Sequence, residues 1–160
     1  MNPAEIIDFY NLEAHPEGGA FSESYRCKEE FPFNGFSGER SISTAIYFLL
    51  QENEFSAFHR IKSDELWHFY LGAPIEIIEI NEEGELFKTI LGSDFKNFQK
   101  FQYNVKANNW FASRSLGEFS FVGCTVAPGF DFRDFKLANY LELKETFPQH
   151  DLIIKELTHS

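Results

Sequence analysis

The sequence predicts an all-β domain, a sandwich or barrel, on three observations. Short stretches rich in β-branched and aromatic residues follow one another closely between residues 20 and 135. Turn-forming Gly, Pro, Asn and Asp residues separate these stretches, and no helical pattern lies between them. The chain also has 20 Phe among its 160 residues, and Phe suits strands and cavity walls. This combination is typical of packed or closed antiparallel sheets and not of a parallel α/β sheet.

A short helix is predicted before the strands begin. Asn2 is a capping residue, Pro3 suits the first helical position, and Glu5 can reach back to the cap. The segment 15–19, His-Pro-Glu-Gly-Gly, then breaks the helical pattern. We therefore expect the first strand to follow this break.

Ten strands are predicted from alternation and from buried apolar runs. They span residues 20–27, 41–50, 55–61, 65–71, 75–80, 85–91, 100–105, 110–113, 118–126 and 130–135. Residues 28–40 contain two glycines and a proline and are predicted to form a loop.

The C-terminal part of the chain is predicted to be helical and to cap the barrel. Residues 138–147 and 148–157 carry regularly recurring leucines and isoleucines with few turn signals, which indicates one or two short helices. The sequence contains no internal repeat, low-complexity tract or linker. We predict a single domain that covers residues 1–160.

Composition argues against several classes of partner. The formal charge of -11 and the pI of about 4.8 oppose binding to nucleic acid or to an anionic membrane surface.

Cys27 and Cys124 have neither the spacing of a zinc site nor the density of a disulfide scaffold. The N-terminal residues lack a signal-peptide pattern, and no apolar run approaches the length of a membrane span. A cytoplasmic protein is expected.

Four segments make the sequence recognisable. Residues 59–72 resemble the first motif of the cupin superfamily, H-x-H-x-x-x-E-x-x-x-x-x-x-G, at three of its four marked positions. HPEGGAFSESYR at 15–26, TAIYFLL at 44–50, HRIKSDELWHFYLGAP at 59–74 and GCTVAPGFDF at 123–132 are similar to segments of one single-domain cupin family, the fifth. The likeness runs from about residue 5 to residue 140 and keeps the order of the segments.

The resemblance implies a double-stranded β-helix, the conical jelly-roll barrel of cupins, whose strands enclose one pocket. It also implies a homodimer formed by contact between sheets. It implies no particular reaction, because the family is known for its fold and not for one substrate.

In cupins that use a metal, two histidines and a glutamate of the first motif and a histidine of the second bind one ion. His59 and Glu65 stand at two of these positions, but Ile61 replaces the second histidine and Phe111 replaces the last. A catalytic metal site normally has about three protein ligands. We therefore expect no cofactor; a divalent metal, if bound, would use His59 and Glu65.

A metal-free role for His59 and Glu65 follows from their chemistry. An imidazole beside a carboxylate in an aromatic-walled cavity is a positioned acid–base pair. Metal-free His/acid chemistry of this kind occurs in sugar-nucleotide epimerases of the cupin superfamily, so the resemblance extends to proton abstraction beside a carbonyl. The alternative is a hydrogen-bond network that only supports the barrel.

Glu23 and Tyr25 are further candidates for catalytic residues, since alternation places both on one face of the first strand with Phe21. If that face lines the cavity, Glu23 supplies a second ionisable group and Tyr25 a hydroxyl. The same alternation also allows Glu23 to face solvent, and the sequence leaves both arrangements open.

Candidate ligand-binding residues complete the predicted pocket. Its walls are expected to include Trp67, Phe69, Trp110 and Phe111, which could stack on a planar or sugar ring or belong to the ordinary core. Thr44 and Tyr47 lie on opposite faces of one strand, so at most one of them reaches the cavity, and Thr44 is our candidate.

Three functional hypotheses remain from the sequence. The first is a metal-independent isomerase or epimerase that acts on a small polar metabolite, such as a sugar or nucleotide-sugar derivative. The second is a metal-dependent isomerase or oxygenase that recruits Glu23 as an extra ligand. The third is a non-catalytic binding or scaffold protein whose pocket is filled by Phe111 and its neighbours.

Overall fold

The computed structural model describes residues 2–159, so the predicted domain limits at residues 1 and 160 lie outside the described part. The helices are α1 (Pro3–Tyr10), α2 (Tyr140–Thr146) and α3 (Asp151–Glu156). The strands are β1 (Glu13–Ala14), β2 (Ala20–Arg26), β3 (Glu30–Pro32), β4 (Glu39–Ser41), β5 (Thr44–Gln51), β6 (Phe55–Arg60), β7 (Asp64–Gly72), β8 (Ile75–Ile80), β9 (Leu86–Leu91), β10 (Gln102–Val105), β11 (Trp110–Ser115), β12 (Phe119–Ala127) and β13 (Lys136–Leu137). Short 3₁₀ turns lie at Phe95–Asn97, Phe132–Asp134 and Pro148–His150.

Two antiparallel sheets form the body of the protein. One has the strand order β1-β2-β5-β12-β7-β10 and the other the order β13-β6-β11-β8-β9. Neighbours such as β5 and β12 are far apart in sequence, as expected of a jelly roll and not of a simple meander. The predicted all-β jelly-roll barrel is therefore confirmed.

The main core lies between the two sheets. It consists of Phe48, Leu50, Trp67, Ile75, Ile77, Leu91, Val105, Phe111, Val122 and Cys124. Within β5 and β12 these side chains alternate with residues on the outer face, which is the period-two pattern of strands with one face in the core.

The helices cover the outer faces of the sheets. In α1 the predicted capping box is present, since Asn2 and Glu5 exchange backbone-to-side-chain hydrogen bonds at 2.9 and 3.0 Å. Its buried Ile6 packs with Leu49 and Phe121 on the six-stranded sheet. On the other side, Leu143 of α2 and Ile154 of α3 belong to a cluster on the five-stranded sheet. The C-terminal helices therefore cap the outer face of that sheet.

The short strands β1 and β13 are not among the predicted strands, and two longer segments also differ from the prediction. Residues 28–40 contain the β3–β4 hairpin as well as loop, and residues 130–135 form a loop with a 3₁₀ turn instead of a strand. A buried ion pair joins the two segments: Arg40 donates to Asp134 from Nε at 2.7 Å and from Nη2 at 2.9 Å. This pair fixes the 130–135 loop against the hairpin.

No helix within residues 2–159 is long and apolar enough to cross a membrane.

Candidate functional site

A cavity of about 330 Å³ opens between the two sheets. Its lining comes from the 15–17 turn, from strands of both sheets and from the 130–132 loop. The lining residues are His15, Glu17, Phe21, Glu23, Arg26, Thr44, Ile46, His59, Ile61, Glu65, Cys124, Val126, Phe130, Asp131 and Phe132. A volume of this size is at the small end of ordinary ligand pockets.

The turn at residues 15–19 brings Glu17 into the cavity. Gly18 and Gly19 have φ angles of 112° and 74°, a region that favours glycine, and a Cβ on Gly18 would lie 2.1 Å from the Phe55 carbonyl oxygen. The turn docks on β6 because the Ala57 amide donates to the Glu17 carbonyl at 2.7 Å. The same carbonyl lies 2.8 Å from Nε2 of His159.

Glu17 and His59 share one proton. The Nδ1 atom of His59 is 2.7 Å from the Ala57 carbonyl oxygen, which can only accept, so Nδ1 carries a hydrogen. In the neutral imidazole, Nε2 is then an acceptor, and it lies 3.1 Å from Oε2 of Glu17. A hydrogen bond between these two atoms requires a protonated Glu17 carboxyl group.

Burial favours this uncharged arrangement. It raises the pKa of Glu17 well above its ordinary value, and the nearby negative charge of Glu65 raises it further. Burial also lowers the pKa of His59 to about 3. Near neutral pH the pair is therefore a carboxylic acid hydrogen-bonded to a neutral imidazole.

His15 is the second imidazole beside Glu17. Its Nδ1 accepts a hydrogen bond from the Glu17 amide at 3.2 Å, so a neutral His15 carries its hydrogen on Nε2. The same Nδ1 lies 3.5 Å from Oε2 of Glu17. Burial lowers the pKa of His15 to about 4. Glu17 is thus flanked by two neutral histidines.

Glu65 is a second buried carboxyl group in the same cavity. It lies near the start of β7, in the six-stranded sheet, whereas His59 projects from β6 in the other sheet. Burial raises the pKa of Glu65 from 4.5 to about 7, and the nearby Cys124 thiol acts in the opposite direction. Burial raises the pKa of that thiol, so Cys124 is a poor nucleophile.

The raised pKa of Glu65 predicts a pH-dependent stability difference. The folded protein binds this proton more tightly than the unfolded chain, so Glu65 stabilises the fold below pH 4.5 and loses that contribution as the pH rises through about 7. The unfolding free energy of Glu65→Gln minus that of the wild type should therefore increase by about 3 kcal/mol as the pH is raised from about 4 to about 8. Denaturant unfolding across this range measures the difference, and a flat difference would contradict the assignment.

A β-bulge in β2 changes which side chains face the cavity. Glu23 pairs with Ile46 and Tyr25 with Ala45, so one extra residue separates them on β2. The bulge reverses the alternation, turns Tyr25 outward to 54% exposure and brings Arg26 to the cavity. Of the two candidates on this strand, Glu23 therefore lines the cavity and Tyr25 does not, which removes Tyr25 from the candidate catalytic residues.

Glu23 and Arg26 form an ion pair at the mouth of the cavity. Arg26 donates from Nε and Nη2 to the two carboxylate oxygens of Glu23 at 2.9 and 2.8 Å. Its Nη2 also donates to the Phe130 carbonyl at 3.1 Å. The side chains of Glu23 and Arg26 are each about two-fifths exposed, because they lie at the opening of the cavity.

The structure separates the other sequence candidates into two groups. Thr44 lines the cavity, and its Oγ1 accepts a hydrogen bond from the Phe130 amide at 2.9 Å. The four aromatic candidates lie outside the lining: Trp67, Phe69 and Phe111 pack in or against the inter-sheet core, and Trp110 packs in the cluster beneath the C-terminal helices. Phe111 still contacts the site, because its ring centroid is 4.0 Å from that of His59.

Sequence reasoning missed several lining residues. The sequence interpretation places His15 and Glu17 in a helix break and in a family-like segment but gives them no chemical role, although HPEGG pairs two ionisable residues with two glycines that permit a tight turn. Phe130, Asp131 and Phe132 were assigned to a strand, and Cys124 was given no role. The Gly-Gly pair is a sequence signal for the tight turn, but the docking of that turn on β6 depends on a tertiary hydrogen bond.

The ligand positions of the cupin metal motifs are only partly filled in this cavity. Ile61 and Phe111 occupy two of the ligand positions of the cupin motifs, and His59 directs Nδ1 to a carbonyl and Nε2 to Glu17. Glu23, the suggested extra ligand, is held by Arg26. Within residues 2–159 no group of three or more His, Cys, Asp or Glu is arranged to hold a metal ion.

Comparisons with known proteins agree with this architecture. Residues 4–138 match the sequence model of the family described as Cupin superfamily (DUF985). An uncharacterized protein of Saccharomyces cerevisiae is 30% identical over 145 residues, which cover 81% of this chain and 72% of that protein. A hypothetical protein from Leishmania major superimposes with a TM-score of 0.93 at 29% identity over 100% of both chains. Protein SO0799 from Shewanella oneidensis gives a TM-score of 0.91 at 38% identity over 99% of this chain and 98% of that chain.

Proposed function

The chain belongs to the DUF985 family of the cupin superfamily, and from this membership and the chemistry of its cavity we propose a metal-independent isomerase or epimerase. Its substrate is a small polar carbonyl compound, such as a sugar derivative. The observation that carries the proposal is the presence of two buried carboxyl groups, Glu17 and Glu65, in one open cavity.

The two carboxyl groups suit opposite roles. A general base is most effective when its pKa lies near the working pH, and burial raises the pKa of Glu65 to about 7. A general acid must hold its proton at that pH, and the pKa of Glu17 is raised well above its ordinary value. Separation of two pKa values within one site is a recurrent basis for acid–base catalysis.

The proposed reaction is a proton transfer beside a carbonyl group. The Glu65 carboxylate removes a proton from the carbon next to the carbonyl, and the C–H electron pair becomes the C=C bond of an enediol. Glu17 protonates the carbonyl oxygen as the C=O π bond opens, and the resulting Glu17 carboxylate accepts a hydrogen bond from the hydroxyl group so formed. Return of a proton to either carbon, with loss of the hydroxyl proton to Glu17, gives an isomer or epimer.

His59 and His15 position the acid. The contact at 3.1 Å between His59 Nε2 and Oε2 of Glu17 fixes the carboxyl orientation, and the Ala57 carbonyl fixes the imidazole tautomer. The rings of Phe111 and Phe135 lie 4.0 and 5.4 Å from that of His59 and restrict its movement. This rigid support favours a catalytic arrangement over a loosely solvated one.

Deuterium wash-in tests the proposal. The protein, treated with a chelator, is incubated in D₂O with a panel of aldoses, ketoses and other hydroxy-carbonyl compounds, and exchange at the carbon beside the carbonyl is followed by ¹H NMR. We expect exchange that survives chelation and rises with pH through about 7 as Glu65 ionises. Exchange that needs an added metal would establish the metal-dependent alternative instead. No exchange with any compound would overturn catalysis and favour a binding or scaffold protein.

A further inference from the structure

Among the residues that the structure describes, the mouth of the cavity offers no positive charge free to bind an anion. Arg26 is the only Lys or Arg among the described residues that line the cavity. Its guanidinium makes two hydrogen bonds to Glu23 and one to the Phe130 carbonyl. Since a bidentate carboxylate fully engages one edge of a guanidinium, the charge of Arg26 is already balanced within the protein.

The other lining groups add no positive charge. Asp131 is held at the mouth by Arg133, which donates to it from Nε at 2.9 Å and from Nη2 at 2.7 Å. Glu17 and Glu65 are buried carboxyl groups, and burial keeps the pKa of His15 and of His59 low, so both imidazoles are neutral. A phosphate placed here would lose its hydration and gain no counter-charge, which is strongly unfavourable.

The walls suit a carbohydrate-like molecule. The rings of Phe21, Phe130 and Phe132 offer apolar faces to C–H groups, while His15, Glu17 and Glu65 offer hydrogen-bond partners to hydroxyl groups. The volume of about 330 Å³ admits a molecule of about monosaccharide size. The nucleotide of a nucleotide-sugar would have to lie outside, beside the Glu23–Arg26 and Asp131–Arg133 ion pairs, whose arginines are already engaged by carboxylates.

We infer that the cavity selects uncharged, polyhydroxylated carbonyl compounds of monosaccharide size, and that Glu23 excludes anions by holding Arg26. This inference rests on the proposed function and narrows its substrate class to free sugars and related compounds. Glu23 is thus a specificity-determining residue, and the catalytic roles stay with Glu17 and Glu65.

Binding measurements with matched probes test the inference. The probes are D-glucose, D-mannose and D-fructose and the corresponding 6-phosphates, and saturation-transfer NMR compares their binding to the intact protein. We expect the wild type to bind at least one free sugar and to bind its 6-phosphate on the order of tenfold more weakly. In Glu23→Gln, the freed Arg26 guanidinium should shift this preference toward the phosphate by on the order of tenfold.

A control variant separates the local effect from net charge. Glu52→Gln removes one negative charge at an exposed position outside the cavity and should leave the preference at the wild-type value. An equal shift in Glu52→Gln, or no shift in Glu23→Gln, would overturn the role of Glu23. Wild-type binding of 6-phosphates as tight as that of free sugars, or no binding of any free sugar, would overturn the substrate class.

Rejection of the substrate class can be distinguished from rejection of the proposed acid–base function. Proton exchange on a phosphorylated or non-sugar carbonyl compound would retain the acid–base proposal and reject the substrate class. Binding of free sugars without exchange would reject catalysis and retain the selectivity of the cavity.

Discussion

Replacement of Glu17 by Gln is expected to lower the rate of proton exchange by about 10²- to 10⁴-fold, the usual contribution of a general acid or base. The side-chain amide introduced by this change can still donate to Nε2 of His59, which in the wild type lies 3.1 Å from the carboxyl oxygen, so the local structure should persist. The amide holds no transferable proton. Because burial raises the pKa of Glu17, the neutral amide should also avoid the cost of holding this group buried above its ordinary pKa, so the thermal midpoint near neutral pH should equal or exceed that of the wild type while kcat falls.

A buried carboxyl group outside the cavity, that of Glu79, provides the matched control for Glu17→Gln. Glu79 is 3% exposed and accepts hydrogen bonds from Tyr103 at 2.6 Å and from Asn109 at 2.6 Å, outside the cavity. Glu79→Gln should therefore keep its exchange rate at temperatures where the protein is folded. Equal loss of rate in both variants would mean that Glu17 acts only through stability.

His59 gives a separate test of the same arrangement. His59→Ala keeps the Glu17 carboxyl group and removes its hydrogen-bond partner, so the acid loses its fixed orientation. We expect a fall in kcat with a pH profile that differs from the wild type, whereas His68→Ala, outside the cavity, should leave both unchanged. If His59→Ala keeps the wild-type rate and pH profile, His59 has no role in the mechanism.

Replacement of Arg40 by Met is expected to lower the free energy of unfolding by about 3 to 5 kcal/mol. Arg40 is 2% exposed, and its guanidinium also donates to the carbonyls of Ser37 and Glu39 at 2.8 Å. Without it, the Asp134 carboxylate is left buried and unpaired. Because this pair fixes the loop that contributes Phe130 and Phe132 to the cavity, ligand binding should weaken as well.

The neighbouring loop pair supplies the comparison. Arg133 and Asp131 make a similar bidentate contact, but the Arg133 side chain is 59% exposed. Arg133→Met should therefore lower the free energy of unfolding much less than Arg40→Met does. The double variant Arg40→Met with Asp134→Leu should recover much of the lost stability, since it removes both buried charges. If denaturant titrations show similar losses of unfolding free energy for Arg40→Met and Arg133→Met, burial does not determine how much each ion pair stabilises the fold.

Much of the fold could be predicted from the sequence because its signals are local. The capping box of α1 and the strand-forming composition of β5 and β12 depend only on neighbours in the chain, and the structure contains the cap and both strands. The family motif also located His59 and Glu65, which share the cavity. Residues 130–135 were misassigned because alternating aromatics suggested a strand, whereas tertiary contacts with the β3–β4 hairpin hold them in a loop.

The rest of the site depends on contacts that local patterns do not record. The extra residue in β2 exchanges the directions of Tyr25 and Arg26, and a sequence gives no sign of a bulge when each residue is a plausible strand former. Glu17 reaches His59 only because two glycines fold the turn onto β6, which lies much later in the chain. Here the geometry of the turn, and not hydrophobic periodicity, decides the chemistry.

The contact between His159 and the Glu17 carbonyl has a consequence for biosynthesis. During translation the 15–19 turn leaves the ribosome early, but β6, the 130–135 loop and His159 that surround it are made progressively later. The nascent chain therefore holds His15 and Glu17 without their final environment for most of its synthesis. The cavity is complete only when nearly the whole of this sequence has emerged.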